Sequence, residues 1–101
     1  MIYKLAVPGP IKDVEEVRVL EWHGDIGRCF MPGELIVELE TYKAIVEVCA
    51  GQPGTLHKIL CPPGSWQLVG KALAVLSDSA GEIPPDDPDA LEALVVEFKI
   101  T

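Results

Sequence analysis

The chain has 101 residues, with 16 acidic and 8 basic side chains and a net charge of −8. That length supports one small domain with a single modest core, short for an enzyme that must enclose its own pocket, and the charge argues against nucleic acid and membrane surfaces as partners. No apolar run approaches the roughly 20 residues of a spanning helix, and MIYKLAVPGP, with one lysine and no adequate apolar stretch, does not read as a signal peptide; the expected setting is cytoplasmic, or the mitochondrial matrix if the source is eukaryotic.

Nine glycines and nine prolines fall at short intervals and separate runs of strand-forming residues. In chain order the runs are VRVLEW, ELIVELE, AIVEVCA, LHKIL and LAVL. Short runs of this kind with turn signals between them predict an all-β sandwich or barrel, and nothing before residue 80 has the length or caps of a helix. In residues 33–50, Ile36, Glu38 and Glu40 alternate with Val37 and Leu39, and Ile45 and Glu47 with Val46 and Val48. This predicts a hairpin whose turn lies at 41–43. Lys43 then stands at its tip, where the ordinary reading is a solvated turn residue. After Leu76, SDSAGEIPPDDPDA has the composition of a linker. Asp87 and Pro88 predict a cap for a short helix through DALEAL, and VVEFKIT alternates as a strand. The expected organisation is a domain over residues 1–79, a Pro-rich linker over 80–90 and a C-terminal segment over 91–101 whose packing the sequence leaves open.

An internal repeat organises the first region. Val19, Trp22, Gly27, Gly33, Ile36 and Leu39 recur 37 residues on as Leu56, Ile59, Gly64, Gly70, Leu73 and Leu76. Two such halves predict a pseudo-two-fold axis and a flattened barrel-sandwich of two small, mainly antiparallel sheets, with glycines where the backbone needs positive φ or close approach. The eight apolar positions of the repeat, with Val46 and Val48, are the expected core. Lys43 would lie at one end of this body and both termini at the other.

These residues carry a family signal. The stretch from about Val14 to Leu76 resembles a lipoyl domain of the biotinyl/lipoyl attachment family, of the type found in 2-oxo acid dehydrogenase acyltransferases. Glu40-Thr41-Tyr42-Lys43-Ala44 falls on the modification motif, with Gly27 sixteen residues before the lysine and Gly54 eleven after it, at the family's glycine positions. The resemblance implies covalent lipoate on Lys43 and a non-catalytic carrier domain, standing alone or as part of a dihydrolipoyl acyltransferase. It would shuttle acyl groups and reducing equivalents between active sites. The implied partners are a lipoate-attaching enzyme, a 2-oxo acid decarboxylase, an acyltransferase core and dihydrolipoyl dehydrogenase. The apolar Leu91, Leu94, Val96, Phe98 and Ile100 would be awkward in a free tether and favour a self-contained carrier with its tail folded onto the barrel.

Two positions depart from the family pattern. Tyr42 stands where lipoyl domains most often carry Asp, and Trp66, in GSWQLVG, where a small polar or acidic residue is usual; an aromatic lid over the barrel end is the expected role of the latter. Glu34, Glu38, Glu40 and Glu47 are expected near the tip, either as solvated strand positions that resist edge association or as a negative face for basic active-site mouths. A biotin carboxyl carrier is the nearest rival, but that family usually has methionine on both sides of the lysine. A glycine-cleavage carrier, normally longer with added helices, and an unmodified barrel-sandwich interaction module are the others. Cys29, Cys49 and Cys61 form no disulfide or CxxC framework and read as buried free thiols. His23 and His57 lack a sequence partner for a metal site, so no metal is expected.

Overall fold

The computed structural model describes residues 1–78 and 86–101. Its strands are β1 (Ile2–Ala6), β2 (Glu16–Trp22), β3 (Cys29–Phe30), β4 (Leu35–Glu40), β5 (Ile45–Ala50), β6 (Gly54–Ile59), β7 (Trp66–Leu68), β8 (Ala72–Ser77), β9 (Glu92–Ala93) and β10 (Val96–Ile100). They form two five-stranded sheets, ordered β10-β5-β4-β2-β7 and β3-β6-β8-β1-β9. Among the described residues every pairing is antiparallel except that of β1 with β9. The all-β, two-sheet barrel-sandwich expected from the repeat is the architecture observed.

The repeat generates that architecture residue by residue. β2, β3 and β4 recur as β6, β7 and β8, and each half lends its short middle strand to the sheet of the other: β3 pairs with β6, and β7 with β2. Hydrogen bonds recur with the halves exchanged. The Gly27 N–H donates to the Leu56 carbonyl at 2.7 Å and the Gly64 N–H to the Val19 carbonyl at 2.8 Å. Gly27, Gly33, Gly64 and Gly70 hold φ of +98°, +91°, +91° and +89°, a region that a Cβ disfavours, so these positions keep glycine while the residues between them diverge. A bulge recurs as well, between Val19 and Glu21 and between Leu56 and Lys58.

Side chains from both sheets meet in one core, with Leu5, Val17, Phe30, Leu39, Val46, Leu56 and Leu76 essentially sealed from solvent. Each such burial contributes about 1.5–3 kcal/mol before conformational entropy is set against it. The expected core positions are buried except Trp22 and Ile59, two equivalent positions of the repeat, which pack partly buried against its margin. The alternation read in β4 fails at one point. A bulge between Leu35 and Val37 against β5 turns both Ile36 and Val37 inward, so Ile36 does not share a face with Glu38 and Glu40.

The tail differs from its reading. Most of the Pro-rich stretch 80–90 lies outside the described residues. Asp87 does cap, accepting from the Asp89 N–H at 3.1 Å, but only a single 3-10 turn follows, Pro88–Ala90. A helix through DALEAL is given up because the chain gains more by extending. The Asp89 carboxylate accepts from the Ala72 N–H at 2.7 Å, β9 pairs with β1, and Leu94 enters the core near Gly54 and Leu76. β10 then pairs with β5, so the segment 91–101 adds the fifth strand to each sheet. This pairing carries Thr101 to Ile45, with Ile45 N–H to Thr101 O at 3.2 Å and Thr101 N–H to Ile45 O at 2.9 Å. Residue 101 therefore lies beside the lysine hairpin and not at the opposite end.

Candidate functional site

β4 and β5 are joined by a turn over Thr41 to Ala44, with Glu40 paired to Ile45 at its base. The Thr41 N–H donates to the Ala44 carbonyl at 2.8 Å. Neither Tyr42 nor Lys43 has positive φ, so the loop is not one of the mirror-image hairpin turns that call for Asn-Gly. The threonine hydroxyl supplies what the turn backbone lacks: its oxygen accepts the N–H of Lys43 at 3.2 Å and of Ala44 at 3.0 Å. Thr41 is itself only 6% exposed. The lysine thus stands on a turn held from within, at no left-handed backbone cost.

The Lys43 side chain is exposed and makes no ion pair among the described residues; its Nζ lies 5.1 Å from the centre of the Tyr42 ring. An exposed primary amine on a turn, without an ion pair among the described residues, suits amide attachment of a carboxylic acid cofactor. Of the four glutamates expected near it, only Glu40 flanks the turn, 3.7 Å from Arg18. Glu38 bonds His23 Nε2 at 2.7 Å and faces Glu47 across the sheet, which in turn faces Lys99. Glu34 lies at the far end of β4, where the Met31 N–H and the Arg28 guanidinium hold its carboxyl below the usual carboxylate range against the effect of desolvation. A single negative face around the tip is not formed.

Gly27 occupies a turn, as expected, but Gly54 does not. Gly54 is buried in β6 with ordinary φ, and a Cβ there would meet Leu76 Cδ2 at 3.3 Å and Leu94 Cδ1 at 3.4 Å. Close packing holds it as glycine. Trp66 does not close the barrel end. It is 55% exposed on β7, and with Tyr42, 70% exposed, it lines a groove that the sequence did not reveal. The cysteines are free, but Cys61 alone is buried, Cys49 being half-buried and Cys29 exposed. Sequence reading also missed that pairing of β2 with β4 brings Glu21, His23 and Glu38 together, their ligand-type atoms all within 4.8 Å of one another.

The family model described as "Biotin-requiring enzyme", for biotin and lipoyl attachment, matches residues 3–76. The chain is 34% identical over 90 residues to the dihydrolipoyllysine-residue succinyltransferase component of the 2-oxoglutarate dehydrogenase complex of Staphylococcus saprophyticus, covering 89% of this chain and 21% of that protein. It is 38% identical over 84 residues to the dihydrolipoyllysine-residue acetyltransferase component of the pyruvate dehydrogenase complex of Rickettsia bellii, covering 82% and 20%. With the mitochondrial pyruvate dehydrogenase complex protein X component of Chaetomium thermophilum the identity is 34% over 94 residues, covering 86% and 21%. The chain spans about a fifth of the length of these relatives.

Proposed function

The chain belongs to the biotin/lipoyl attachment family, and from that premise we propose that it is a lipoyl carrier domain, modified on Lys43 and serving a 2-oxo acid dehydrogenase-type complex. The observation that carries the reading is the turn itself: an exposed amine, free of ion pairs among the described residues, on a loop whose N–H groups are tied to the Thr41 hydroxyl. At the matching place in the other half, Ile2 pairs with Ser77 and no turn joins β8 to β1. The attachment point is thus the place where the two-fold scaffold is specialised.

Lipoate, when joined there as an amide, supplies a dithiolane that carries acyl groups and electrons. The residues of this chain do the rest by position. Lys43 loses its positive charge in the amide and becomes the root of an arm. Thr41 fixes the direction in which that root leaves the barrel, and the sealed core keeps the root rigid. Tethering to a complex raises the arm's local concentration at each active site to about the millimolar range without tight binding. The domain itself is non-catalytic, and its partners are a lipoate-attaching enzyme, a decarboxylase, an acyltransferase core and dihydrolipoyl dehydrogenase. Relatives named for lipoyl-bearing acyltransferases support the lipoyl reading over biotin.

The test is co-expression with a lipoate ligase and lipoate, and in parallel with a biotin ligase and biotin, followed by intact mass and peptide mapping. One lipoyl adduct on Lys43, abolished in Lys43→Arg, is expected. Lipoate on Lys4, Lys12, Lys58, Lys71 or Lys99, or biotin in preference to lipoate, overturns the assignment.

A further inference from the structure

Beside the lysine turn lies an open groove of about 670 Å³, lined by Ile11, Val14, Tyr42 and Trp66 with Asp13, Glu15 and Glu16 also on its wall. Two observations tie it to the attachment point. Tyr42 precedes Lys43 and lines this groove as well as the small hollow that Lys43 itself borders. The lysine also sits against the ring that lines the groove, with Nζ 5.1 Å from the Tyr42 ring centre. Register gives the spacing: Glu40, Arg18 and Trp66 stand in one row across β4, β2 and β7, which puts Trp66 two strands, roughly 10 Å, from the strand that enters the turn.

Resting on the lipoyl reading, we propose that the groove is a docking cradle for the domain's own lipoyl arm, with the dithiolane seated between Tyr42 and Trp66 over Ile11 and Val14. The occupant follows from chemistry and reach. An acylated Nζ has lost its charge, and the arm it bears is an apolar chain ending in two polarizable sulfurs. Such a group gains by leaving water for aromatic faces, as thioethers do. Its root already stands against one of the two rings. Tyr42 and Trp66 are otherwise large aromatic surfaces exposed to water on a small domain. The floor is preformed: Ile11 and Val14 bridge each other and pack against the core, and Asp13 between them takes φ of +62°, which turns the loop sharply enough to bring both apolar side chains under the groove. In the docked state the sulfurs are shielded from small soluble reagents; in the free state they reach a partner. The cradle sets the balance between them.

The experiment compares unmodified and lipoylated protein by ¹H–¹⁵N correlation spectra, with intact mass recorded on the same samples. Trp22 is the internal control, because its Nε1–H is engaged with the Cys61 carbonyl at 2.9 Å and neither residue lines the groove. Lipoylation is expected to shift the Trp66 indole N–H and the amides of Ile11 to Val14 while leaving the Trp22 indole in place. In Trp66→Ser, which alters an exposed position, the shifts at Ile11 to Val14 are expected to vanish although the adduct is still present. A lipoyl adduct whose shifts stay within residues 41–44 overturns the cradle and leaves the carrier reading standing. Absence of any lipoyl adduct overturns both.

Discussion

Thr41→Val tests whether the turn that presents Lys43 is held by one hydroxyl. Valine keeps the shape of threonine but removes an oxygen that accepts from Lys43 and Ala44 at 3.2 and 3.0 Å and donates to the Ala44 carbonyl at 3.3 Å. Lys43 is exposed, so water can take over its N–H; Ala44 is only half-exposed, so its N–H loses its acceptor with less compensation. One poorly replaced bond and one replaced by water amount to about 1–2 kcal/mol. For a domain of this size that is a fall in Tm of about 5–15 °C. Thermal unfolding followed by circular dichroism measures it, and hydrogen exchange at the Ala44 amide should lose protection in parallel. The rate of lipoate transfer at limiting ligase should also drop, because an unpinned turn offers the amine in many directions. Thr41→Ser, which keeps the acceptor and loses a methyl, should cost some stability yet transfer at nearly the parent rate. If Thr41→Val melts and labels as the parent does, the hydroxyl does not hold the turn, and the account of how the lysine is aimed is wrong.

Exchanging Tyr42 and Lys43, by Tyr42→Lys with Lys43→Tyr, should leave Tm nearly unchanged, since both side chains are exposed, while labelling measured by intact mass falls by orders of magnitude as the amine leaves along a different direction. The two glycines should respond oppositely to chemistry. At Gly27, where nothing lies within 4 Å of a Cβ and φ is +98°, alanine should cost about 1–2 kcal/mol and asparagine less. At Gly54, alanine should cost about 1–3 kcal/mol through crowding against Leu76 and Leu94, and asparagine more. Urea unfolding separates the cases, and equal ranking at both sites would refute the distinction. Alkylation with iodoacetamide, read by mass, should modify exposed Cys29 first and Cys61 last, because burial pushes the Cys61 thiol up, and burial with Glu47 and Glu97 does the same at Cys49; early loss of Cys61 would mean that the barrel opens readily.

The two halves, the four turn glycines and the lysine tip were legible in the sequence because each rests on a local rule. Turns that hold φ near +90° favour glycine, strand faces alternate with period two, and a repeat copies both at a fixed spacing of 37 residues. What the sequence left open depended on which strands meet, and in what register. A bulge against β5 set Ile36 beside Val37 in the core and broke the alternation. Packing of Leu76 and Leu94, the second brought in by the tail, explains Gly54 where turn geometry does not. Two free sheet edges and a buried place for Leu94 outweighed the marginal helix written into DALEAL. The same edge pairing drew Thr101 to the base of the lysine turn. Trp66 looked like a lid because nothing near it in the chain mentions Tyr42. Only the row β4-β2-β7 puts the two aromatics on one groove, since side-chain neighbours across a sheet are chosen by hydrogen-bond register between segments far apart in sequence.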